Sequence, residues 1–164
     1  MDTQNDDEKI EARTPTADDL IALCREFNNR NAKYVVVGGM AMIQMGYGRT
    51  TEDIDLLLDS SAENQEKVIS ALLTLPEKAA KEIQPNDLNE FTVIRVADEF
   101  VVDLMKSACG IEYEEAIKHS TIITLEGVPI PFAKPELLWR MKQTMREKDN
   151  LDLFFLKELL QQNT

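Results

Sequence analysis

The chain is short of cysteine, of histidine and of positive charge, and each shortage closes off a class of function. Its two cysteines, Cys24 and Cys109, lie far apart without a metal-type spacing, and both read as reduced thiols of a cytoplasmic protein. His119 is the one histidine. It falls at a predicted helix end before Ser120, where a capping or exposed role is expected, and no Ser-His-Asp system can be assembled around it. No apolar run approaches the ~20 residues of a membrane span. The amino-terminal MDTQNDDEKIEART is acidic and polar and lacks the apolar core of a signal peptide. With 18 Lys and Arg against 30 Asp and Glu, the net charge is −12. That disfavours a broad nucleic-acid-binding surface, which rests on phosphate neutralisation, while leaving room for a local basic pocket. Internal repeats and low-complexity tracts are absent too, and 164 residues suffice for one domain with a real core.

The composition of residues 1–14 predicts a disordered acidic tail, followed by a single domain over 15–164. Thr16 is placed to cap a helix, with Asp18 and Asp19 in its first turn and Leu20, Leu23, Cys24 and Phe27 on its apolar stripe. A short strand is expected at Tyr34 to Val37. Ser60 and Glu63 have capping-box spacing for a later helix that buries Val68, Ile69, Leu72 and Leu73. A weaker helical stretch around Glu77 to Ile83 leads to a loop at Pro85 to Asn89. FTVIRV and FVVDLM read as a hairpin about Ala97, Asp98 and Glu99. A short helix near Glu112 to Lys118 precedes a second hairpin, TIITL and VPIPF, which turns at Glu126-Gly127. Helices from Pro135 to about Arg146 and from about Lys148 to Gln161 close the chain. The order α-β-α-β-α-ββ-α-ββ-αα predicts an α/β or α+β domain, a small mixed β-sheet flanked by helices.

The chemistry concentrates in YVVVGGMAMIQMGYGRTTEDIDLLLD, residues 34–59. Gly38-Gly39 sits at a strand-to-helix junction, where missing Cβ atoms let the backbone approach a phosphate, although a double glycine at a turn also has a purely geometric reading. Asp53 and Asp55 open the next strand two residues apart, so they share a face while Ile54, Leu56 and Leu58 take the other. Asp is disfavoured in strands, and two carboxylates side by side repel unless a cation lies between them; the competing reading is a solvated strand face. Asp103 stands in the apolar strand VVDLM, where an isolated carboxylate is costly to bury. It is either an ion-pair partner of an arginine such as Arg95 or a third acid of a metal site. Lys134 to Lys148 is the most basic stretch, with Trp139, Lys142 and Arg146 at i, i+3 and i+7 on one helical face. Lys142 and Arg146 then either reach phosphate or are solvated, and Trp139 lies either near a base or in the core. Arg49 contacts phosphate or pairs with Asp53 or Asp55.

Double glycine, short helix, an Arg-Thr loop, Asp-Ile-Asp at a strand start and a third Asp on a later strand together resemble the nucleotidyltransferase superfamily of polymerase-β type. The family pattern often has Gly-Ser; here it is Gly-Gly, which resembles the branch of abortive-infection (AbiEii-like) toxins and their small bacterial relatives. IPFAKPELLWRMKQTMREKDNLDLFFL is similar to the C-terminal segment of that branch at Lys142, Arg146, Lys148, Asp149 and Asp152. The resemblance implies a nucleotidyltransferase fold with C-terminal helices. It also implies a cytoplasmic, Mg²⁺-dependent (or Mn²⁺-dependent) enzyme that moves a nucleoside monophosphate from an NTP to an acceptor hydroxyl. Asp53, Asp55 and Asp103 would be the catalytic metal ligands. Gly38, Gly39, Arg49, Thr50, Lys142 and Arg146 would bind the nucleotide. The acceptor is a tRNA, a protein or a small molecule, and the setting toxin–antitoxin or phage defence, with an antitoxin as protein partner and no role at a membrane. The alternatives are a catalytically silent nucleotide-binding member of the same fold, and an antitoxin-like interaction protein using the acidic tail and Phe154, Phe155 and Leu159 of the last helix.

Overall fold

A computed structural model describes residues 11–142 and 147–162, with backbone alone at 147–150. Most of the expected tail, residues 1–10, and Arg146 lie outside the described residues. At the start of the described chain the Arg13 N–H donates to the Glu99 carbonyl at 3.0 Å and its guanidinium pairs with Asp19. Helix α1 (Ala17–Asn29) begins at Thr16 with a full capping box, Thr16 accepting from the Asp19 N–H while Asp19 accepts from the Thr16 N–H. Arg13 holds the Asp19 carboxyl below its usual range.

Strand β1 (Tyr34–Val37) runs directly into α2 (Gly38–Gln44), and a loop returns the chain to β2 (Asp53–Leu58). Helix α3 (Ala62–Leu72) is capped by Ser61, one residue later than the expected Ser60, whose carbonyl instead accepts from Gln65. A 3-10 turn at Ala79–Glu82 and a one-turn helix α4 (Asp87–Glu90) replace the weak helix and loop read from the sequence. Then come the hairpin β3 (Val93–Ala97) and β4 (Val101–Met105), a short ladder β5 (Ser107–Ala108) and β6 (Ile111–Glu112), and α5 (Tyr113–Lys118). Strands β7 (Ser120–Leu125) and β8 (Val128–Ala133) form the second hairpin, and α6 (Pro135–Met141) and α7 (Glu147–Gln162) follow.

Six strands form one mixed sheet in the order β3-β4-β2-β1-β8-β7. The hairpin partners and β1–β2 are antiparallel, whereas β2–β4 and β1–β8 are parallel. Register sorts the side chains, because directly opposed residues share a face. Tyr34, Val36, Ile54, Leu56, Leu58, Val102 and Leu104 fall on one face and are buried. Phe27 of α1 packs its ring 5.0 Å from that of Tyr34, and Val68 and Leu72 of α3 add to the same core. Burial pushes the Cys24 thiol up to about 12, as befits an unreactive core residue. The opposite face carries Val37, Asp53, Asp55, Asp103 and Arg95, and there the three candidate acids gather. No helix of the described residues is long and apolar enough to cross a membrane.

Candidate active site

The acids meet because of strand pairing. Asp55 lies opposite Asp103 in the parallel β2–β4 pair, and Asp103 lies opposite Arg95 in the antiparallel β3–β4 pair. One row across the sheet therefore reads Val37, Asp55, Asp103, Arg95. Asp53 sits two residues before Asp55 on the same face. Carboxylate oxygens of Asp53, Asp55 and Asp103 all lie within 4.8 Å of one another. The donors are hard oxygens without histidine or cysteine among them, a set suited to Mg²⁺ or Mn²⁺. The cluster could hold such an ion. Arg95 forks onto Asp103, Nε to Oδ1 at 2.9 Å and a terminal nitrogen to Oδ2 at 2.9 Å, and reaches Asp53 at 3.2 Å. The hydrogen bonds to Asp103, with the added fields of Asp53 and Asp55, raise the guanidinium pKa above its ordinary value. Asp103 is thus both an ion-pair partner of Arg95 and a member of the acidic cluster.

The triad lies in a cleft of about 380 Å³, within the range of small-molecule sites. Its walls include Val37, Gly38, Leu138, Met141, Arg49 and Lys142. The two cations share one buried counter-ion, Asp152 of α7. Arg49 bonds both Asp152 oxygens, at 2.6 and 2.8 Å, and Lys142 Nζ lies 3.1 Å from Oδ2. Asp152 is fully buried. Arg49 thus bonds a carboxylate 103 positions away in the chain. Its guanidinium also lies 5.9 Å from the Tyr47 ring, which stacks on Phe155 of α7 at 4.4 Å. The Arg49 Nε–H is buried with no hydrogen-bond partner among the described residues.

The glycines are explained by these neighbours. Gly38 has φ +66°, and a Cβ there would collide with the Asp55 carboxylate. A Cβ on Gly39 would strike Thr51 and come within 2.8 Å of an Arg49 nitrogen. Thr51 is buried and donates to the Asp53 carbonyl at 3.0 Å, bracing the strand start. Thr50 is exposed and does not line the cleft. Helix α6 stops at Met141, so Lys142 is its C-cap rather than a residue on a helix running on to Arg146. Trp139 packs against the margin of the core and is not part of the cleft wall. Phe155 is engaged by Tyr47, whereas Phe154 is exposed. Sequence reasoning noted Arg95 only as a structural partner and Asp152 only as a motif position. The signal available was register: Arg95 is displaced from Asp103 by the hairpin turn alone, but the reach to Asp53 depends on the parallel β2–β4 pairing.

No protein-family model and no curated protein matches the sequence. Solved structures do resemble the fold. An antigenic nucleotidyltransferase-like protein from Paracoccidioides brasiliensis superposes with a TM-score of 0.53 at 17% identity, over 90% of this chain and 79% of that one. A candidate nucleotidyltransferase from Thermotoga maritima gives 0.48 at 14% identity, covering 92% and 94% of the two chains. A third candidate, from H. pylori, gives 0.47 at 21% identity, covering 96% and 70%. The fold is thus a mixed β-sheet flanked by helices, like that of the nucleotidyltransferase-like protein, with a triad of acids in the cleft.

Proposed function

We propose that the protein is a Mg²⁺- or Mn²⁺-dependent nucleotidyltransferase that moves a nucleoside monophosphate from an NTP to an acceptor hydroxyl. The observation that carries this reading is the meeting, in one cleft, of Asp53, Asp55 and Asp103 with the cations Arg49 and Lys142. In the reaction the acceptor oxygen bonds to the α-phosphorus, the bond to pyrophosphate breaks, and the hydroxyl proton passes to a base. Asp53, Asp55 and Asp103 would hold the ion. When bound, a divalent cation supplies charge stabilisation for the phosphoryl oxygens and the leaving pyrophosphate. Arg49 and Lys142 meet the polyphosphate charge, held in place by Asp152 rather than left to wander. The unpartnered Arg49 Nε–H leaves a donor for an acceptor that a ligand would bring. Gly38 and Gly39 keep the backbone close under Asp55 and Arg49, so their contribution to nucleotide binding runs partly through those side chains.

On this reading the C-terminal segment, whose sequence resembles the abortive-infection branch, belongs to the site through Asp152, which bonds Arg49 of the cleft wall. The candidate acceptors are a tRNA, a protein hydroxyl and a small hydroxylated molecule, all compatible with a minimal catalytic core. The test is transfer of label from each α-labelled NTP, with Mg²⁺, to each of these three classes, with Asp55→Asn as control. Label in an acceptor that needs Asp55 supports the reading. A specific observation favours one rival, a silent nucleotide-binding member: the Arg95 ion pairs already satisfy part of the triad. NTP binding with no transfer to any acceptor class would select it.

A further inference from the structure

We propose that Arg95 is a positioning residue of the acidic cluster, its resident counter-ion, and that a divalent cation enters by displacing it from Asp103 and Asp53. The inference rests on the metal-dependent reading above and goes beyond it, because Arg95 belongs to none of the residues that reading uses. Three observations carry it. Arg95 engages both oxygens of Asp103 and one of Asp53, the same atoms a hard cation requires. A guanidinium fork matches a carboxylate in two parallel bonds, so it orients Asp103 in the absence of metal. Finally, β3 is an edge strand and the Arg95 side chain is 62% exposed, so it has solvent to swing into without disturbing the core.

The two cations exclude each other. A divalent ion and a guanidinium on shared oxygens repel, and each satisfies the same carboxylate repulsion. Arg95 therefore holds Asp103 and Asp53 aligned when no metal is bound, and it lowers the affinity for metal alone. Phosphate arriving with the ion offers the released guanidinium a new anionic neighbour at the mouth of the cleft.

The test is a titration of Mn²⁺ alone, followed by electron paramagnetic resonance, into wild type, Arg95→Gln and Arg95→Lys. Removing a cation a few ångströms from the site is expected to tighten Mn²⁺ binding about tenfold or more in Arg95→Gln. Arg95→Lys, which keeps the charge but loses the fork, is expected to fall between that variant and wild type. Adding Asp103→Asn to Arg95→Gln should abolish the gain. Melting curves should show the metal-free Arg95→Gln protein less stable than wild type, and Mn²⁺ raising its melting temperature more. Equal or weaker Mn²⁺ binding in Arg95→Gln would overturn the inference while leaving the metal-dependent reading intact. Absence of Mn²⁺ binding in all three proteins would overturn both. Should Arg95→Gln not fold, Arg95→Lys decides, and an affinity equal to wild type would count against the exchange.

Discussion

At Gly38 two demands meet: the backbone turns with φ +66°, and the Asp55 carboxylate fills the space a Cβ would take. A left-handed conformation costs a non-glycine residue roughly 1–2 kcal/mol before any collision is counted. Gly38→Ala should therefore lower stability by about 2 kcal/mol in chemical denaturation. It should also weaken divalent-cation binding, because Asp55 must move. A variant of unchanged stability and unchanged metal affinity would show that neither demand operates. The sequence located the double glycine but not its reason. Phosphate approach and plain turn geometry were both open from the sequence, and the space a Cβ would take beside Gly39 is filled by Thr51 and Arg49. Those contacts come from residues ten and more positions along, and nothing in local spacing announces them. Asp53 and Asp55 were legible because a period of two along a strand needs no tertiary information. Arg95 was only half legible: its hairpin partner was, its reach to Asp53 was not.

Among the elements, α7 bears directly on the cleft. Asp152, Phe155 and Leu156 fall at helical spacing and share the face that meets the body of the protein. Asp152 has no solvent exposure, and it pairs with Arg49 and Lys142, whose side chains are largely buried. Removing one member of a buried ion group leaves its partners uncompensated, typically at a cost of about 3–5 kcal/mol. Asp152→Ala should thus lower the unfolding free energy by that order in chemical denaturation and weaken NTP binding at the same time. A loss under ~1 kcal/mol would mean that Asp152 neither anchors α7 nor fixes the two cations. The helices and hairpins themselves could be read from the chain because their signals are local. Thr16 and Asp19 form the capping box, and Glu126 and Gly127 both take the positive φ that a tight hairpin turn needs. Where two local solutions compete, the tertiary structure chooses. Ser61 caps α3 instead of Ser60, and α6 ends at Met141 although its apolar spacing continues to Met145.

For the whole molecule, the parallel pairings β2–β4 and β1–β8 decide the architecture, and they join segments that no turn connects. Hairpins can be inferred from a turn; a parallel neighbour cannot, since the crossover between them is long. That pairing brings Asp103 beside Asp55 and so turns three separated acids into one cluster. It also sets charge against charge. A chain of net charge −12 gathers Arg49, Arg95 and Lys142 around a single cleft. Such a cleft suits a polyphosphate carried with its metal better than a bare anion, because each sign of charge in the ligand finds its opposite. The most direct measurement is a calorimetric titration of the four NTPs, with and without Mg²⁺, into wild type, Asp53→Asn and Asp55→Asn. Binding of at least one NTP that requires Mg²⁺ and is lost in both variants is the expected result. No binding of any NTP by wild type, or binding undiminished in the variants, would contradict a metal–nucleotide site built on these acids.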